Sequence, residues 1–123
     1  MSRKGRPRKL KIIQEQPRTD HFSPRGRPGR PDEIVVSLEE YEAMRLQDYQ
    51  GMQQKQAALM MGISQQSFSR IVRDARRKVS DALVNAKIIR IEGGQIINKR
   101  SLDIANKLKR RAKEAMPGSP EGL

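Results

Sequence analysis

Gln65, Gln66, Ser69 and Arg70, followed closely by Arg73, Arg76, Arg77 and Lys78, are side chains suited to grasping nucleic acid. Glutamine can pair bidentately with adenine, and arginine with guanine, along the edges of the major groove. In a docked recognition helix the N-terminal residues reach the bases, so Gln65, Gln66, Ser69 and Arg70 are the candidate base readers. The later cations, Arg73, Arg76, Arg77 and Lys78, are candidates for phosphates, which position a protein without specifying sequence. On a helix over about 65–86, Gln66, Ser69, Arg70, Arg73 and Arg77 share one side. Phe68, Ile71, Val72, Ala75, Val79, Ala82, Leu83 and Ala86 share the other. Asp74 and Asp81 lie outside the polar strip, which is therefore free of acids. A merely solvated helix face mixes Glu with Lys; an acid-free one points to a polyanion.

Such a strip needs a neighbour to hold it. Residues 52–61 predict a second, short helix, ended by Gly62, where a left-handed backbone carries no Cβ penalty. Ser64 is then placed to cap the third helix. Two helices joined across so short a turn cross steeply, and Ala57 and Ala58 are small enough to allow it. The spacing therefore predicts a helix-turn-helix over about 53–86. Upstream, Ser37 and Glu40 have the spacing of a capping box, with Leu38, Tyr41 and Met44 as apolar positions of a first helix ending near Gln50 at Gly51. Arg45 falls on the apolar side of that helix, within one turn of Glu42 and Asp48, and reads as half of a structural ion pair.

The rest of the chain is less regular. Ile88–Glu92 and Gln95–Asn98 read as a hairpin around Gly93-Gly94, which packs on the helices or places Arg90, Lys99 and Arg100 near phosphates. Residues 99–116 predict a basic amphipathic helix with Ile104, Ala105, Leu108, Ala112 and Ala115 as its apolar stripe, for packing on the domain or on a second subunit. Residues 117–123 read as a disordered tail. Residues 1–33 hold five of the seven prolines and read as a basic, flexible arm. Within it, Lys4-Gly5-Arg6-Pro7-Arg8-Lys9 and Arg25-Gly26-Arg27-Pro28 resemble the AT-hook core. A thin Gly-Arg-Pro backbone suits a narrow A·T-rich minor groove, so Arg6, Arg8, Arg25 and Arg27 are candidates for it, with plain phosphate attraction as the alternative. The expected fold class is mainly α, with residues 34–98 as the helix-turn-helix domain and hairpin.

Charge agrees with this division. The formal net charge is +12, distributed as +8 over residues 1–31, −5 over 32–50 and +9 beyond. Displacement of counterions condensed on phosphate favours binding by so basic a chain. With no cysteine, disulfides and thiolate metal sites are excluded, and no cofactor is implied. His21 reads as an ordinary exposed side chain. No stretch reaches the ~20 apolar residues of a membrane span, so a cytoplasmic protein without membrane attachment is expected. Neither a His–carboxylate or Ser–His grouping nor a glycine-rich phosphate loop is present, so no enzyme is expected.

Several runs resemble the family called domain of unknown function 134. They are Leu38-x-x-Tyr41-Glu42-Ala43-Met44-Arg45-Leu46-x-Asp48, Met61-Gly62-Ile63-Ser64, Phe68-Ser69-Arg70-Ile71, Ala75-Arg76-Arg77-Lys78-Val79 and Ile91-Glu92-Gly93-Gly94. The resemblance covers about residues 6–97. It implies prokaryotic DNA-binding proteins with a helix-turn-helix similar to region four of sigma-70-type factors. That family often carries a cysteine in its N-terminal segment where this chain has Leu10, so no metal or redox role carries over. Residues and resemblance together predict a sequence-specific transcriptional regulator bound to double-stranded DNA, as a monomer or homodimer. The alternatives are a module that binds RNA polymerase through its acidic first helix, or a nonspecific nucleoid or RNA-binding protein.

Overall fold

A computed structural model describes residues 10–26, 29 and 31–115. In chain order the elements are β1 (Lys11–Ile13), β2 (His21–Phe22), β3 (Glu33–Val36), α1 (Leu38–Met44), α2 (Gln54–Met61), α3 (Gln65–Asn85), β4 (Ile88–Ile91), β5 (Ile96–Asn98) and α4 (Lys99–Ala115). The fold is mainly α, as the helical periodicities require.

Each helix starts and stops for a local reason. The capping box of α1 is complete: Ser37 Oγ accepts from the Glu40 amide at 3.1 Å, and Glu40 Oε1 accepts from the Ser37 amide at 2.9 Å. The helix then widens into one π-helical turn, Arg45–Tyr49, in which the Gln50 amide reaches back to the Arg45 carbonyl at 2.9 Å. Helix α2 ends at Gly62 with φ +72°, and Ser64 Oγ caps α3 by accepting from the Ser67 amide at 3.0 Å.

The core lies between these helices. Ala43 and Leu46 meet Ala57, Ala58 and Met61 of α2 and Phe68, Ile71 and Val72 of α3. Ala57 and Phe68 are fully buried; alanine in α2 is what lets the large ring come this close. On the apolar side of α3, Phe68, Ile71, Val72, Ala75 and Ala82 are buried and Val79 is half-buried, but Leu83 is 76% exposed beside an equally bare Val84. Leu83 sits at the edge of the stripe, on the last turn.

The strands differ from expectation. Ile88–Ile91 and Ile96–Asn98 are extended on either side of the two glycines, yet they do not pair with each other. Strand β4 is the centre of a three-stranded sheet, parallel to β3 and antiparallel to β2, so both its edges are taken. Strand β5 pairs in parallel with β1, Ile13 opposite Asn98. Gly93 and Gly94 thus carry the chain from one sheet to the other. The segment read as arm contributes β1 and β2, with Ile13 fully buried. Averaging over a proline-rich stretch hid the short apolar run Leu10-Lys-Ile-Ile. The N-terminal nine residues and the tail after Ala115 lie outside the described residues.

Gly94 has φ +114°, and a Cβ there would stand 2.8 Å from Glu39 Oε1, which accepts the Gln95 amide at 2.8 Å. Gly94→Ala is therefore expected to cost about 1–3 kcal/mol in chemical denaturation. Gly93→Ala, with open space around it at φ +79°, should cost less. Equal losses would show that backbone strain alone, without the Glu39 contact, sets the penalty.

Candidate nucleic-acid interface

Helix α3 presents its polar strip to solvent. Gln65, Gln66, Arg70, Arg73 and Arg77 are exposed, and Ser69 is half-buried. Gln65 and Gln66 lie immediately after the Ser64 cap, at the helix N-terminus. Arg70 follows one turn later and lines a cleft with Ser67 and Asp74. Among the described residues, Arg70, Arg73 and Arg77 make no hydrogen bond or ion pair.

The other two cations of this helix are tied down. Arg76 grips Asp48 of the π-helical turn with two hydrogen bonds, 2.7 and 3.0 Å. That pairing raises the Arg76 guanidinium above its ordinary pKa and holds the Asp48 carboxyl below the usual range. Lys78 donates to Glu40 at 2.9 Å, reinforcing the capping box of α1. The eight candidates on α3 therefore divide: Gln65, Gln66, Arg70, Arg73 and Arg77 stay open, with Ser69 half-buried, while Arg76 and Lys78 fasten α3 to the π-helical turn and to α1.

Helix α1 and its π-helical turn use all their acids this way. Glu39 accepts the Gln95 amide and lies 3.3 Å from Lys11 Nζ. Glu42 is wholly buried; it takes both Nε and Nη2 of Arg45, at 2.8 and 3.0 Å, and the Gln14 amide at 2.9 Å. The hydrogen bond from Arg45 to Glu42 outweighs the cost of burial and raises the Arg45 pKa. Arg45 thus pairs structurally as its position suggested, with Glu42 and not with Asp48. The cross-helix pairs were missed by sequence reasoning, although a signal existed: an excess of acid over 32–50 precedes a basic helix.

Outside α3 the candidate cations scatter. Arg25 is exposed in a turn, whereas Arg6, Arg8 and Arg27 lie outside the described residues. Arg90 is held by Glu33 through two hydrogen bonds, and Lys99 by Asp103. Helix α4 leaves Ile104 and Leu108 more than half exposed. No helix among the described residues is long and apolar enough to cross a membrane.

Fold and surface together define a small, mainly α, strongly basic protein with one open polar strip on its longest helix. Residues 1–99 match the family described as "Protein of unknown function DUF134", and the chain belongs to that family. It is 47% identical over 90 residues to a UPF0251 protein of Thermoanaerobacter pseudethanolicus, covering 72% of this chain and 76% of the relative. A UPF0251 protein of Prosthecochloris aestuarii is 42% identical over 106 residues, 85% of this chain and 68% of the relative. One from Methanococcus vannielii is 48% identical over 93 residues, 75% and 72% of the two chains. No solved structure matches the chain.

Proposed function

We propose that this protein is a sequence-specific DNA-binding protein, a transcriptional regulator acting in the cytoplasm without catalysis. Helices α2 and α3 form its helix-turn-helix, and α3 enters the major groove of double-stranded DNA. One observation carries the reading: Arg70, Arg73 and Arg77 of α3 stand exposed without an ion pair, Arg77 sensing only the nearby Asp81, although acids are at hand that neutralise Arg76 and Lys78 on the same helix. A helix meant only for solvent has no use for such sorting.

The roles follow from position. Gln65, Gln66, Ser69 and Arg70, in the first turns of α3, read base edges. Arg73 and Arg77, further along, hold phosphates. Burial and pairing of the α1 acids argue against the polymerase-binding alternative, because Glu39, Glu40 and Glu42 are engaged within the chain and at most 15% of each side chain is exposed.

Selection of bound fragments from a genomic library tests the proposal directly. A recurrent site supports it, and half-site spacing would reveal a dimer. Recovery without sequence preference would leave a nonspecific coating protein instead. On a selected site, Arg70→Ala should relax discrimination at one base pair by about 1–3 kcal/mol. A loss equal for all sequences would remove Arg70 from the base-reading set.

A further inference from the structure

The chain has two tyrosines, two phenylalanines and no tryptophan. Phe68 is in the core; the other three rings line one open cleft. The cleft holds about 770 Å³ between the loop of residues 15–22 and the outer side of α1 with its π-helical turn. Phe22 and Tyr49 leave 52% and 84% of their surface bare, so packing within the chain does not explain them. Tyr41 and Met44 complete the apolar wall. π-Helical turns inside helices are frequent at functional sites, and this one supplies both Asp48 and Tyr49.

The charges along the cleft narrow the ligand. Arg45 contributes little net charge, since the buried Glu42 neutralises it. Arg18 is exposed and makes no hydrogen bond or ion pair among the described residues. Glu15 makes no hydrogen bond or ion pair among the described residues, and Asp48 is bound only by Arg76, with 38% of its side chain still open. Aromatic faces beside carboxylates attract organic cations. A ring-sized body would cover the exposed aromatics, and its ammonium would meet the carboxylates.

We propose that this cleft binds a small monoamine, an ammonium on an aromatic or alkyl body, which takes Asp48 from Arg76. Displaced, Arg76 joins Arg70, Arg73 and Arg77 as a fourth open cation on α3. Amine binding itself does not depend on the DNA-binding reading. Only its consequence, tighter binding of DNA, rests on that reading.

Both tyrosines lie in the cleft and no tryptophan masks them, so tyrosine emission of the full chain reports occupancy. Phenethylamine is the probe, and phenylacetate, with the same ring and the opposite charge, is its control. A saturable change is expected with the amine and none with the acid. Asp48→Asn should weaken the amine about tenfold or more. Arg76→Ala, which removes the competitor, should tighten it. Circular dichroism checks that both variants keep their helices, and both replace exposed, solvent-side groups. No saturable change up to about 10 mM amine, or equal binding of phenylacetate, overturns the site. Unchanged affinity in Arg76→Ala overturns the exchange at Asp48. A gel shift with saturating amine is the separate arm. If DNA is never bound while the fluorescence titration behaves as expected, the regulator reading falls and the amine site stands.

Discussion

Replacing Arg73 and Arg77 together with alanine is expected to weaken binding to every duplex by a similar factor, and to flatten its salt dependence. Each phosphate contact releases condensed counterions and contributes about 0.9 to the slope of log K against log salt. Losing two lowers the slope by about 1.8, so the variant should lose about tenfold less affinity than the parent over a fourfold rise in salt. Both side chains are exposed and unpaired, so folding should change by no more than about 0.5 kcal/mol. Arg76→Ala, by contrast, removes a cation that Asp48 already neutralises and should alter the slope less. A salt series of mobility shifts on one duplex measures all three proteins. An unchanged slope in the double variant would take α3 off the phosphates and return the surface to the adaptor reading.

The largest expected loss of stability comes from Glu42→Ala, at about 3–5 kcal/mol. Glu42 is fully buried, and its carboxylate serves three donors: two on Arg45 and the amide of Gln14. Alanine would strand the Arg45 cation, whose side chain is only 11% exposed, and would unfasten β1 from α1. In thermal unfolding the midpoint should fall by more than about 10 °C. The paired change Glu42→Leu with Arg45→Met leaves no charge uncompensated and should recover most of the loss. If the pair proved as damaging as Glu42→Ala, the Gln14 contact and packing would matter more than the ion pair.

Much of the molecule was legible in its residues because the signals are local. Ser37 with Glu40, and Ser64 after Gly62, bracket α1 and α3, since caps act within one turn of the backbone they satisfy. Phe68, Ile71, Val72 and Ala75 point inward because a 3.6-residue repeat allows nothing else once one of them is buried. Arg45 could be read as half of an ion pair for the same reason, but Glu42 and Asp48 are each three residues away, and only the fold chose Glu42.

What tertiary structure alone decided was pairing between distant parts. Two glycines between β-branched runs suggest a hairpin, but a strand's hydrogen bonds go to whichever edge is available, and β2 and β3 occupy both edges of β4. Composition marked residues 1–33 as an arm. Pairing with β5, burial of Ile13 and the contact of Ile12 beside Gly62 made the segment Lys11–Ile13 part of the body, and none of these is visible in local composition. Periodicity alone placed Arg73 and Arg77 on an acid-free side of α3. It could not say that Arg76 and Lys78, their near neighbours, would be spent on helix α1, because the distance from a cation to an acid 28 or 38 residues away is set by how helices cross.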